Sequence, residues 1–339
     1  MCTAVCYLTE HHYFGRNLDL DRGYGEGVLI TPRSFPLAFR HSSEISSHYA
    51  MIGMGTVAEG YPLYFEATNE KGLSMAGLNF PDNAFYGSYR EGKENIAPFE
   101  LIPYVLSQCA TTAEAEKLLR SVNVLHCSFS RELPATPLHW MISDRSRCLV
   151  MECTRREESL LQDTSLDQDT TVTDPHQPSV MRIYDDPFGV LTNNPPFPFH
   201  RENMHRYMSL CEGVGSNTLS QRLSLKHTSL GFGAMGLPGD FSSVSRFVRA
   251  VFVKEKSPRQ GKETESVSQF FHILSSVAMP KGCVKMENGN YEYTRYSSCC
   301  NTDTLTFYYT TYHNSRIRSF SLHSHNPYEQ TLTFYPIDL

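Results

Sequence analysis

The chain has 339 residues, of which 40% are hydrophobic and 19% charged, with a formal net charge of −6 at neutral pH. That composition is enough to bury a large core and excludes intrinsic disorder. A mildly acidic chain without a basic block has no general electrostatic reason to bind nucleic acid or an anionic membrane, and no apolar run approaches the ~20 residues of a spanning helix.

The opening residues carry no positively charged stretch, and their apolar run stops at Glu10. No secretory signal is read there, and the expected address is the cytosol. The ten cysteines do not form the dense framework of a small secreted domain. Cys109, Cys127, Cys148, Cys153 and Cys211 sit in apolar surroundings and are expected to be buried thiols. The adjacent pair Cys299-Cys300 is poor geometry for a disulfide. A reducing compartment is the simplest expectation.

In chain order, short alternating segments predict strands at Thr3–Leu8, Tyr13–Leu18, Gly27–Thr31, Ala50–Met54, Leu63–Ala67 and Leu73–Asn79. Helices are expected at Glu100–Cys109 and at Ala113–Val122, the second opened by a capping box at Thr111 and Glu114. Strands return at Leu138–Ser143, Cys148–Cys153 and Val190–Thr192. Between them Gln162–Pro178, rich in Asp, Thr, Gln and Pro, predicts a solvated surface loop. Helical patterns resume at Arg201–Cys211, Ser243–Lys254 and Val267–Val277. The chain closes with strands at Tyr291–Tyr296, Leu305–Tyr312, Arg316–Leu322 and Thr331–Tyr335. No repeat, heptad or linker interrupts this order, so one domain over residues 1–339 is expected. Strands, helices, strands, helices, strands suit stacked layers of mainly antiparallel sheet, an α+β class.

Several motifs fail on context. Gly231-Phe-Gly-Ala-Met-Gly236 has dinucleotide-loop spacing, but Leu237-Pro238-Gly239 breaks the helix that such a loop must open. A loop closing over a pocket is the better expectation there. Fourteen histidines fall into no zinc spacing with the cysteines. His11-His12 reads as a turn, and no G-x-S-x-G elbow is present. No metal and no cofactor are expected.

The remaining constellation is Met1-Cys2. A small residue after the initiator permits removal of Met1, and an N-terminal Cys carries nucleophile and base in one residue. Its α-amine has an ordinary pKa of ~7.7–8.0, so much of it is neutral near pH 7. An adjacent amine is a recognised means of activating such a thiol. A hairpin turning at His11-His12 would return Arg16 and Asp19 toward Cys2. Arg16 would favour the thiolate, and Asp19 would orient the amine.

At these residues the chain closely resembles the choloylglycine hydrolase family, the bile salt hydrolases and penicillin V acylases among the N-terminal-nucleophile hydrolases. The matching stretches are Met1-Cys-Thr, Phe14-Gly-Arg-Asn-Leu-Asp19, Asn69-Glu-Lys-Gly-Leu73, Ala76-Gly-Leu-Asn-Phe-Pro81, Leu138-His-Trp-Met-Ile-Ser-Asp144, Val190-Leu-Thr-Asn193, Leu237-Pro-Gly-Asp240 and Ser245-Arg-Phe-Val-Arg249. They run in the family's order over nearly the whole chain.

The resemblance implies a four-layer αββα sandwich. It makes Cys2 the nucleophile, Arg16 its neighbouring guanidinium and Asp19 the carboxylate holding the amine. Asn79 through its backbone N–H and Asn193 through its side-chain amide would bind the oxyanion, and Arg246 is the second arginine near the thiol. It implies an amidase needing no cofactor, commonly a homotetramer. The implied substrate is a glycine- or taurine-conjugated bile salt, with penicillin V as the rival and a non-catalytic binding or redox protein as the alternative of another class. Bile salts are favoured because Asn79 stands where penicillin V acylases often carry Tyr. The acyl wall is expected from Phe80, Phe85, Tyr86, Phe232 and Met235. Gln162–Pro178 looks longer than the family's connection there, and Ala4 replaces a frequent Gly.

Overall fold

The structure, a computed structural model, describes residues 1–155, 179–259 and 261–337. The predicted loop Gln162–Pro178 lies outside them. Two antiparallel sheets face one another. The first runs in the order Val190–Leu191, Cys2–Leu8, His12–Leu20, Tyr291–Asn301, Thr306–Thr311, Asn314–Ser321, with Val284–Lys285 added on Tyr291–Asn301. The second runs Ser179–Asp185, Cys148–Arg155, Leu138–Ser143, Ser74–Asn79, Tyr61–Asn69, Met51–Ala58, Gly27–Thr31, Thr333–Pro336. Helices α1 (Leu101–Gln108) and α2 (Thr112–Leu119) belong to the outer side of the second sheet. After α3 (Phe197–Asn203), helices α4 (Ser243–Lys256) and α5 (Glu263–Ser275) cover the outer side of the first. The result is the expected four-layer α+β sandwich.

The central strands of both sheets are covered on both faces and read as almost wholly buried, whereas Thr306–Thr311 alternates and the edge strand Asn314–Ser321 is mostly exposed. Along Cys2–Leu8, all but Cys6 and Leu8 are buried. One core fills the space between the sheets and beneath α4 and α5, where Phe247, Val251, Phe270 and Leu274 pack. The other joins the second sheet to α1 through Ile102, Val105, Trp140 and Met151. Burying one such aromatic or aliphatic side chain stabilises the fold by about 1.5–3 kcal/mol.

Local chemistry sets the helix ends. Ser242 caps α4 by accepting from the Ser245 N–H. Thr111 caps α2 by accepting from the Glu114 N–H at 3.2 Å, while the Glu114 carboxylate reaches back to the Ala110 N–H at 2.7 Å. The second half of the capping box therefore lands one residue early.

Three expectations shift. Helix α2 ends at Leu119, and Val122–Val124 leaves as a strand parallel to Glu94–Ile96. Its valines pack better on a pleated surface than in another helical turn. The helix predicted at Arg201–Cys211 instead begins at Phe197, with Pro198 in its first turn, and gives way to a 3-10 turn at Met204–Tyr207. Finally His12 is no turn residue. It opens the second strand, is buried, and bonds Thr302 and Ser143 through its two ring nitrogens.

Candidate active site

The hairpin that begins the chain builds the site. Its register sets Cys2 opposite Leu18 and Ala4 opposite Arg16. Cys2 and Ala4 are two apart, so Cys2, Arg16 and Leu18 share the face that looks toward the second sheet. Gly15 permits the hairpin to lie against Tyr291–Asn301, since a Cβ there would fall 2.0 Å from the Ser298 carbonyl oxygen.

Arg16 is fully buried at a fork in the second sheet. Strands Tyr61–Asn69 and Ser74–Asn79 pair from Thr68↔Ser74 to Glu66↔Ala76 and then part. The guanidinium fills the opening, donating from Nη1 to the Phe65 carbonyl at 3.1 Å and the Gly77 carbonyl at 2.6 Å. Its Nη2 is buried with no partner, and the residue lines the cleft. Burial opposes its charge, but the neighbouring Cys2, Tyr296, Glu66 and Asp19 outweigh that and hold it protonated. Glu66, 3.8 Å from Arg16 Nε, accepts from Tyr296 and Ser298 at 2.8 Å each. Burial raises its carboxyl to about 7 in spite of those partners.

On the other side of Cys2 lies Asn193. Its Oδ1 accepts from the Cys2 N–H at 2.8 Å and from Arg246 Nη2 at 2.7 Å, and its Nδ2 donates to the Asn79 carbonyl at 2.7 Å. One Nδ2 hydrogen is left over. Arg246, buried on α4, also donates from Nη1 to the Cys2 carbonyl and to Thr3 Oγ1, both at 2.6 Å. Asp19 lies 4.0 Å from that Nη1. Its Oδ1 accepts from Thr294 at 2.6 Å, whereas its buried Oδ2 has no hydrogen-bond partner. With Met1 in place, the chain's ammonium pairs with Glu292 and donates to the Asp19 carbonyl. The Cys2 nitrogen is then an amide without basicity. Burial lowers the pKa of that terminal amine.

Cys2, Arg16 and Asn79 line a cleft of about 300 Å³ whose walls are apolar: Leu18, Leu20, Leu63, Phe65, Phe99, Ile102, Phe129, Leu133 and Leu138. Arg22, Tyr24 and Glu132, all exposed, also line it and form its rim. Among the described residues no group of three or more His, Cys, Asp or Glu side chains is placed to hold a metal ion.

The structure thus gathers all six of Cys2, Arg16, Asp19, Asn79, Asn193 and Arg246. It does not bring the five expected wall residues to the cleft. Phe80 follows Asn79 and, being next in line on the strand's exit, is fully buried with its ring stacked on His139. Phe85 lies under the Arg155 guanidinium. Tyr86 is buried behind the wall, where its hydroxyl donates to the Thr136 carbonyl and accepts from the Leu138 N–H. Phe232 and Met235 are 39% and 67% exposed on and beside a 3-10 turn, so Gly231–Gly236 does not close over this cleft. The real walls carried one legible signal. Leu18 and Leu20 follow Arg16 at two-residue steps and so share its face.

A family model for linear amide C–N hydrolases of the choloylglycine hydrolase family matches residues 2–164 and 159–333. The chain belongs to the choloylglycine hydrolase family. This family member is 43% identical over 337 residues to the bile salt hydrolase/transferase of Lactiplantibacillus plantarum, covering 99% of this chain and 97% of that one. It is 32% identical to the bile salt hydrolase/transferase of Clostridium perfringens, covering 96% and 94%. A crystal structure of a conjugated bile acid hydrolase variant from Clostridium perfringens superposes with a TM-score of 0.86 at 30% identity, covering 100% of this chain and 97% of that one. Penicillin V acylase from Agrobacterium tumefaciens shares the fold, with a TM-score of 0.72 at 19% identity, covering 98% and 90%. The chain is accordingly an amide hydrolase on the N-terminal-nucleophile scaffold.

Proposed function

We propose that the protein is a conjugated bile salt hydrolase that cleaves the amide between a bile acid and glycine or taurine through a thioester on Cys2. The observation that carries the reading is a thiol at the floor of a cleft walled by aliphatic and aromatic side chains, in a chain 43% identical to a bile salt hydrolase. A rigid steroid is held by apolar area, not by many directed bonds.

Removal of Met1 frees the Cys2 amine. The thiolate, beside Arg16, attacks the amide carbonyl. The Asn79 N–H and the free Nδ2 hydrogen of Asn193 stabilise the oxyanion, each donor contributing on the order of 3 kcal/mol. The α-ammonium protonates the leaving amine. Water, deprotonated by the same amine, then releases the bile acid and the thiol. Relatives are named hydrolase/transferase, and an amine attacking the same thioester would give a new amide in place of the acid. No step needs a cofactor.

The chain acts as one unit, since both sheets and α4 contribute to the six-residue cluster. A second copy would cover the excursion between α3 and α4, where Met208, Leu219, Leu230 and Met235 stand mostly exposed, in keeping with a homotetramer. No described helix is long and apolar enough to cross a membrane, and all ten cysteines are free thiols, which suits a cytosolic location. Side-by-side measurement of kcat/KM for glycocholate, taurocholate and penicillin V tests the reading. A clear advantage for penicillin V would reassign the substrate and leave the Cys2 chemistry standing.

A further inference from the structure

His139 and Glu152 lie outside the six-residue cluster, yet both are buried, His139 at 0% and Glu152 at 1% exposure. His139 Nε2 is 2.9 Å from the Thr192 carbonyl oxygen, and Nδ1 is 3.2 Å from Glu152 Oε1. That same Oε1 accepts from the Phe197 N–H at 2.9 Å. A carbonyl oxygen can only accept, so Nε2 must carry a hydrogen. A proton must also lie between Nδ1 and Glu152, because two facing lone pairs would leave both groups buried and unsatisfied. Pair and proton together are neutral, which makes them tolerable in the core.

The consequence is geometric. Glu152 fixes Phe197, the first residue of α3, and His139 fixes Thr192, so the pair brackets the segment containing Asn193. The flat side of the imidazole stacks on Phe80, with ring centroids 4.2 Å apart and planes within 6°. One ring therefore touches the residue next to Asn79 and the residue next to Asn193. These are the two asparagines assigned above to the oxyanion. Their mutual contact, Asn193 Nδ2 to the Asn79 carbonyl at 2.7 Å, leaves little freedom for error in either. Asn193 is held at its own backbone by Ser243 and His200, but neither of those touches the Asn79 strand.

We propose that His139 and Glu152 are positioning residues that register the Asn193 amide against Asn79, so that both donors meet the same developing oxyanion. The proposal rests on the Cys2 amidase reading. Neither residue lines the cleft, so the effect belongs in kcat and not in KM. A misplacement of about 1 Å at a reacting centre can cost about a hundredfold in rate.

The test uses the full chain with glycocholate and penicillin V, since the oxyanion is common to both amides, and melting temperatures are measured alongside. His139→Asn and Glu152→Ala should lower kcat about ten- to a hundredfold with KM within about twofold. Glu152→Gln should recover only part of the kcat lost in Glu152→Ala, through the Phe197 anchor it keeps. Its Oε1 can still accept from Phe197, but the same atom faces Nδ1, so with Nε2 bonded to Thr192 the Nδ1 contact survives only as an imidazolium without its buried counter-charge. Unchanged kcat in His139→Asn and Glu152→Ala, with only the melting temperature lowered, would overturn the proposal. If His139→Asn does not fold, Phe80→Leu keeps an apolar filling but removes the stack, and an unchanged kcat there is equally fatal. Wild-type protein that turns over neither amide defeats the amidase reading and this proposal with it. Active wild type with indifferent variants defeats this proposal alone.

Discussion

Replacing Asp19 by Asn separates the two halves of the site most cleanly. The change is isosteric, and the Thr294 hydroxyl can still donate to the side-chain oxygen that it meets at 2.6 Å. What disappears is one negative charge, fully buried and 4.0 Å from Arg246 Nη1. At an effective dielectric of ~20 that separation corresponds to about 4 kcal/mol of gross attraction. Breaking a buried pair from one side typically costs about 3–5 kcal/mol. The family resemblance also assigns this carboxylate to hold the α-amine of Cys2. In the chain that retains Met1 its charge raises the pKa of the terminal ammonium, against the burial that lowers it. Without Asp19 the ammonium is stabilised less, its pKa falls, and the acidic limb of the kcat/KM profile should move to lower pH. Poor orientation of the base should reduce kcat by about 10²- to 10⁴-fold with KM little changed. Steady-state kinetics from pH 4.5 to 8, with a thermal melt of each protein, provide the measurement. A variant that is less stable but has wild-type kcat and an unmoved acidic limb would show that Asp19 serves only as the partner of Arg246.

Active protein should lack Met1 by intact mass, because Met1 turns the catalytic amine into an amide; full activity with Met1 retained would end the mechanism. Cys2→Ala should abolish turnover without unfolding the chain, and iodoacetamide should label Cys2 ahead of Cys109 and Cys300, whose thiols burial pushes up to about 12; mapped peptides decide. Phe129→Ala should lower kcat/KM for glycocholate about 10- to 100-fold by removing part of the apolar wall, and an unchanged value would take the steroid out of this cleft. Burial holds the His200 imidazole down at about 4, so it binds fewer protons in the native state than unfolded between those values and the ordinary 6.5. Its contribution is complete above 6.5 and lost as pH falls toward 4, up to about 3 kcal/mol. Urea melts at pH 7 and pH 4.5 should differ less in His200→Asn than in wild type, and an equal difference removes His200 from the account.

Much of the molecule was legible in the residues alone. Cys2, Arg16, Leu18 and Leu20 are set on one face by strand alternation within a single hairpin, and alternation is a local property of the backbone. Most strand segments and the body of helix α4 follow from periodicity in the same way, while α5 begins at Glu263, four residues before the predicted Val267, and ends at Ser275. Errors cluster where a neighbour distant in sequence chose between conformations of similar local merit. Val122–Val124 became a strand because Glu94–Ile96 lay beside it, and His12 became a strand residue because Thr302 and Ser143 received its ring nitrogens. The wall of the cleft was decided wholly by tertiary structure. Phe80 looked like a wall residue because it adjoins Asn79, but the ring of His139 took it into the core, and Phe65, Phe99 and Phe129 arrived from three separate segments. Sequence specifies which groups one short segment presents together. It does not specify which segments meet, because that depends on burying apolar area and satisfying buried polar atoms across the whole fold.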